Sequence, residues 1–171
     1  KKLGFVGGMA VPAVQRFGSG YIQGAEQAAK EMKLTDAELK YYYAGAFQKT
    51  DEATATAKGW YAAGTEVIFA CGGKVYQSVQ DACEKNTSRK WIGVDVDQHS
   101  VDPDRVITSA FKGLRNSVQS ALEIYSTNTW DTIGGQVFNL GLNSKLGSVE
   151  AKDYVGIPTA DASWGFKTFT K

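Results

Sequence analysis

From Leu3 to Val94 the sequence alternates four short apolar runs with three helical patterns, and that alternation leaves few folds open. Leu3-Gly4-Phe5-Val6-Gly7 predicts a buried strand, ended by Gly7-Gly8. Pro12 suits the first turn of a helix, where its missing N–H costs nothing. Val14, Phe17, Tyr21, Ala25, Ala28 and Met32 then recur at three- and four-residue steps, the pattern of a helix lying on a sheet. Leu39 to Ala44 predicts a second strand, rich in tyrosine. Thr50 or Asp51 is placed to cap a second helix with Ala53, Ala57, Trp60 and Tyr61 inward and Gly64 at its close. Glu66 to Ala70 has too few polar residues to be half-exposed, so a central parallel strand is expected. A helix presenting Val75, Val79, Ala82 and Cys83 follows, then a fourth strand, Trp91 to Val94. The class is therefore α/β, a parallel sheet with right-handed crossovers and helices on both faces.

After Asp97 the rhythm changes. Val101 to Asp104 reads as a polar loop and Arg105 to Ala110 as extended. A helix follows with Leu114, Val118, Ala121, Leu122 and Tyr125 on one face. Gly134-Gly135 precedes an expected strand, Gln136 to Leu140, and Tyr154 to Ile157 is a further candidate. The organisation expected is an α/β core over residues 1–108, a strand end and helix over 109–133, and return strands over 134–171. The chain enters a strand directly after Lys1-Lys2, and Phe166 to Lys171 begins another element, so the expectation is a fragment whose C-terminal segment is truncated.

Lys and Arg number 19 against 18 acids, so no basic excess favours a nucleic-acid backbone. No apolar run approaches the ~18 residues of a membrane span. Cys71 lies at a strand end and Cys83 about nine residues into the next helix, roughly 13 Å along its axis. A disulfide needs Cα atoms within about 7 Å, so both are expected free. No Cys/His spacing suggests structural zinc.

In an open α/β sheet ligands sit outside the carboxyl ends of the strands. Four short polar or glycine-bearing segments fall there: Gly7-Gly8-Met9, Gly45-Ala46-Phe47, Cys71-Gly72-Gly73 and Gly93-Val94-Asp95-Val96-Asp97-Gln98. The last admits three readings: Asp95 accepting two hydrogen bonds from vicinal sugar hydroxyls, Asp95 and Asp97 chelating a metal with His99, or two acids capping a loop. Cys71-Gly72-Gly73-Lys74 fails as a phosphate loop, because Ile68 and Val75 stand where Gly and Ser or Thr are required. It remains either a close backbone approach to a ligand or a tight turn. Phe47 and Tyr76 each follow a strand end and are candidates to stack on a flat ring, or are core. Ser109 and Cys71 lack a visible base, since the sole histidine is His99.

Four stretches together resemble the basic membrane protein, or PnrA-like, family of substrate-binding lipoproteins of ABC importers. They are Gly4-Phe5-Val6-Gly7-Gly8-Met9-Ala10-Val11-Pro12 with Arg16-Phe17-Gly18; Gly64 through Gly73; Ile92-Gly93-Val94-Asp95-Val96-Asp97-Gln98; and Val106 through Lys112. The resemblance implies a lobe like that of type I periplasmic binding proteins, in which two α/β lobes joined by three crossovers close on a ligand. This chain would be most of the second lobe, Arg105 to Ala110 a hinge strand, and the 114–125 helix a surface for the absent first lobe. The family's characterised members bind purine nucleosides; by position Asp95 resembles the carboxylate on the ribose hydroxyls, Lys112 the lysine beside it, and Gly72 and Gly73 the backbone lining the pocket. Lys74-Val75-Tyr76 departs from the small residues usual after the glycine pair.

The resulting expectation is a binding module without enzymatic activity or cofactor, in an extracytoplasmic, lipid-anchored protein. Its partners would be a nucleoside, an ABC permease and the first lobe. The rival is a metal-dependent nucleotide-sugar transferase using Asp95 and Asp97.

Overall fold

The computed structural model describes residues 1–166. Its strands are β1 (Lys2–Gly7), β2 (Glu38–Tyr43), β3 (Val67–Cys71), β4 (Lys90–Asp95), β5 (Val106–Lys112) and β6 (Val155–Gly156). The helices are α1 (Pro12–Glu31), α2 (Asp51–Ala62), α3 (Tyr76–Cys83) and α4 (Leu114–Ser126). One sheet runs β2-β1-β3-β4-β5-β6, with the first five strands parallel and β6 antiparallel against Phe111 and Lys112. The expected α/β fold is thus present, with its strand order reversing between β1 and β3. The crevice for a ligand in such sheets opens at that reversal.

Two cores flank the sheet. On one face α2 and α3 bury Ala53, Ala57, Tyr61, Val75, Val79, Ala82 and Cys83 against Val6, Ile68, Ala70, Trp91 and Val106. On the other, α1 sets Val14, Phe17 and Tyr21 against Phe5, Phe69, Cys71 and Val94. The Thr50 hydroxyl caps α2 by accepting from the Ala53 N–H at 3.1 Å. The two cysteines lie in opposite cores and both are free.

The α1 stripe is only half used. Ala28 is exposed and Met32 is 62% exposed, because a 20-residue helix of about 30 Å overruns six-residue strands of about 20 Å. The predicted second strand begins and ends one residue earlier than expected.

The expected strand Gln136–Leu140 is absent. Those residues follow a turn at Gly135, whose φ is +73°, and cross the surface without a ladder, leaving Val137 88% exposed. Their apolar content serves packing instead: Leu140 joins a third cluster of Ile124, Ile133, Leu146, Val149 and Tyr154. Of the expected Tyr154–Ile157 strand only Val155–Gly156 pairs. The last five residues of the expected C-terminal segment lie outside the described residues.

The helix α4 reverses the usual arrangement. Its inward face is Ser120 and Ile124, with the Ser120 hydroxyl 2.9 Å from that of Tyr154. The apolar stripe Leu114, Val118, Leu122 and Tyr125 points outward, each 57–70% exposed. No described helix is long and apolar enough to cross a membrane.

Candidate functional site

Strand alternation alone would not assemble a site at the carboxyl edge; an irregularity in β5 does. Opposite Trp91 the β5 partner is Val106, and opposite Ile92 it is Thr108, so Ile107 is an extra residue. A one-residue slip exchanges the two faces of a strand. Val106 accordingly packs in the α2/α3 core, while Ala110, three pairs further on, packs on the α1 side with Ile92 and Val94. Lys112 falls on that second side, where it lines a cavity with Thr108 and Ala110. Continued without the bulge, the strand would carry Lys112 to the opposite face.

Asp95 closes β4 in an uncommon conformation. Its φ is +70°, and the Val96 N–H donates to the Val94 carbonyl at 2.9 Å. A bond between residues two apart across a positive-φ centre is a γ-turn of the rare, strained kind. Regular alternation would send Asp95 to the side of Trp91. At the same strand edge burial chiefly pushes the Cys71 thiol up to about 12, Asp95 adds to the rise and Lys112 opposes it. A thiol so held is not a nucleophile near neutrality. The Asp95 carboxylate is half-buried, and neither it nor the Lys112 ammonium makes a hydrogen bond or ion pair among the described residues.

Beside this pair the turns after β1, β2 and β3 interlock. The Gly8 N–H donates to the Cys71 carbonyl at 2.8 Å, the Gly45 N–H to the Gly8 carbonyl at 2.9 Å, and the Lys74 N–H to the Phe47 carbonyl at 2.9 Å. Gly72 takes φ +140°, and a Cβ there would lie 2.9 Å from the Gly8 nitrogen. At Gly73, φ +53°, a Cβ would lie 2.8 Å from the Phe47 carbonyl oxygen. Both glycines are therefore demanded by close backbone approach, Gly72 to the turn after β1 and Gly73 to the segment after β2. Phe47 leans over Gly8 and stays 37% exposed at the rim.

Two predicted site residues go elsewhere. Tyr76 stacks on Trp91, ring centroids 5.7 Å apart and planes 9° from parallel, against the α2/α3 core. Asp97 holds its own loop: one oxygen accepts from the His99 N–H at 3.0 Å, and the other from the Ser163 hydroxyl. Among the described residues no three His, Cys, Asp or Glu side chains gather as a metal site. The gathered set is thus Asp95, Lys112, Gly72, Gly73 and Phe47.

Sequence reasoning gave no role to Gln98. Its buried side-chain carbonyl accepts from the Val94 N–H at 2.8 Å, and its own N–H donates to the Ser109 hydroxyl at 3.0 Å. A glutamine reaching back four residues to the main chain carries no periodic signal. A cavity of about 780 Å³ adjoins the rim between α1 and the 138–141 segment. It shares Lys112 with the gathered set but not Asp95, Gly72, Gly73 or Phe47. The buried Tyr21 and Thr108 hydroxyls in its lining have no protein partner among the described residues.

Comparison with known proteins gives a consistent picture. Residues 1–156 match the family model described as ABC transporter substrate-binding protein PnrA-like. Basic membrane protein A1 of Borrelia garinii subsp. bavariensis is 34% identical over 143 residues, which are 82% of this chain and 40% of that protein. Basic membrane protein B of Borreliella burgdorferi is 30% identical over 164 residues, 94% of this chain and 43% of the relative. The crystal structure of an ABC transporter solute-binding protein from Aeropyrum pernix K1 superimposes with a TM-score of 0.72 at 25% identity, over 92% of this chain and 40% of that one. The chain spans about two-fifths of the length of the relatives it matches.

Proposed function

The chain belongs to the PnrA-like family of ABC transporter substrate-binding proteins, and from that premise we propose that it is the second lobe of an extracytoplasmic, membrane-anchored receptor for a purine nucleoside. In this reading Asp95 accepts hydrogen bonds from the two vicinal ribose hydroxyls and Lys112 donates to the same ring. The Gly72-Gly73 main chain and the Phe47 ring form the neighbouring wall. The first lobe, from the rest of the protein, closes over the base and seats on the outward stripe of α4. Closure is a hinge transition driven by the ligand's greater affinity for the closed state, and the closed surface is what an ABC permease would read. No covalent step is required.

One observation carries the reading: a half-buried aspartate without a protein partner, set in a strained γ-turn at the carboxyl edge, with the exposed Lys112 one position past its ladder partner. Buried or half-buried charge is ordinarily paired, and strain of this kind concentrates at ligand clamps. The rival metal-dependent transferase has no comparable support, because Asp97 is engaged by Ser163 and the His99 N–H.

Calorimetry of the intact two-lobed protein with inosine and guanosine tests the proposal. Asp95→Ala removes hydrogen bonds to a charged acceptor and is expected to weaken binding roughly 10- to 100-fold. Unchanged affinity in that variant would overturn it.

A further inference from the structure

The geometry points to Gln98 and Ser109 as positioning residues that hold Asp95 in its binding conformation, an inference that rests on the ribose-binding reading of Asp95. Three hydrogen bonds form one linked chain. The Ser109 hydroxyl, fully buried on β5, accepts the Gln98 N–H at 3.0 Å. That bond sets the Gln98 backbone so that its side-chain carbonyl reaches back to the Val94 N–H at 2.8 Å. The Val94 carbonyl in turn accepts the Val96 N–H that closes the γ-turn around Asp95. Both polar groups of Val94 are thereby engaged, its carbonyl in the peptide that leads into Asp95 and its N–H in the peptide before that.

The fit is tight enough to forbid a larger residue at the hub. A Cβ on Gly93 would lie 2.6 Å from the Gln98 side-chain oxygen and 2.7 Å from the Ser109 hydroxyl. Gly93 has an ordinary negative φ, so it is small for the sake of these two side chains and not for backbone freedom. Nor is the chain explained by covering apolar surface: Gln98 and Ser109 are buried polar groups whose bonds terminate on the turn that carries Asp95. A strained conformation persists only where its surroundings over-determine it. These two residues supply that constraint on a carboxylate that has no partner of its own among the described residues.

The test compares inosine with 2′,3′-dideoxyinosine, which lacks the hydroxyls assigned to Asp95, by calorimetry on the intact protein. The readout is the ratio of the two affinities. Gln98→Ala and Ser109→Ala are expected to cut that ratio about tenfold, as loss of a well-placed charged acceptor does. Asp95→Ala is expected to cut it at least as far, and Asp95→Ala/Gln98→Ala no further than Asp95→Ala alone. Gln98→Met keeps the volume while removing the acceptor, and serves where the alanine variant does not fold. If Gln98→Met and Ser109→Ala weaken both ligands equally and leave the ratio intact while Asp95→Ala collapses it, the two residues are structural and the inference fails. If Asp95→Ala itself leaves the ratio intact, the ribose reading fails, and with it the premise.

Discussion

The two ends of the β4–β5 pair each present an aspartate, and the two aspartates are in opposite conditions. At the amino end Asp102, 5% exposed, accepts from the Trp91 indole at 3.2 Å and from the Arg105 guanidinium at 2.9 and 3.1 Å. Arg105 also donates to the Glu84 carbonyl at 2.9 Å. At the carboxyl end Asp95 has a left-handed backbone, a half-buried carboxylate and no protein partner among the described residues. One sheet has thus completed the hydrogen bonding of one carboxylate and left the other open. Satisfied burial of charge marks a structural part, whereas an open, strained one marks a place where something else completes the bonding.

The contrast breaks most visibly at Asp102. Asp102→Ala strands a largely buried guanidinium and the indole N–H of the fully buried Trp91. Removing one partner of such a pair costs about 3–5 kcal/mol, and urea unfolding should shift by that amount. A loss within the range of ordinary surface substitutions would mean that the amino end is as tolerant as the carboxyl end, and the distinction would fall.

How much of this could be read from the chain alone follows from which physics leaves a periodic trace. The inward residues of α2 and α3 were legible because each repeats at helical spacing: Ala53, Ala57 and Tyr61, then Val75, Val79 and Ala82, are all buried. The carboxyl-edge turns were legible because glycine and aspartate cluster at strand ends. The bulge at Ile107 was not, since an extra residue in a strand changes no local preference, and it is what brings Lys112 to the side of Cys71. Tyr76 was misleading because an aromatic after a strand end carries one signature whether it stacks on a ligand or on Trp91. The α4 stripe was read correctly as apolar, but periodicity says only that a face seeks a partner, and within the described residues that face stays exposed.

A smaller effect separates the ends by pH. Burial chiefly holds the Cys71 thiol at the carboxyl edge up to about 12, from an ordinary 9.0. Near the amino end burial likewise raises the Tyr61 phenol well above its ordinary 10.0, while its hydroxyl donates to the Lys90 carbonyl at 2.7 Å. Above those ordinary values the unfolded chain releases protons that the folded chain keeps. The unfolded state then binds fewer protons, so stability falls as pH rises. Each such group contributes a loss of about 1.4 kcal/mol per pH unit beyond its unfolded value. Unfolding midpoints from about pH 8 to pH 11 should drop earlier through Cys71 and later through Tyr61. Cys71→Ala is expected to flatten the first part of the fall and Tyr61→Phe the second; a slope that neither variant changes would remove the assignment.

The smallest effect has the opposite sign and bears most directly on the comparison. A side chain at positive φ is strained relative to glycine by about 1 kcal/mol, somewhat less for aspartate, which tolerates that region. Asp95→Gly removes that strain and breaks no protein–protein bond among the described residues, while glycine's greater freedom in the unfolded chain offsets much of the gain, so stability should rise by no more than about 0.5 kcal/mol. Asp102 has φ −155°, ordinary extended backbone, so Asp102→Gly has no strain to relieve and should only destabilise. The pair therefore predicts opposite signs for one chemical change at two ends of one sheet. On the proposed reading, Asp95→Gly in the intact protein should gain stability while losing nucleoside affinity, the pattern of a residue kept for its ligand at the expense of its fold. If Asp95→Gly destabilises as Asp102→Gly does, Asp95 is bonded to the fold, and the carboxyl edge is a structural mirror of the amino edge.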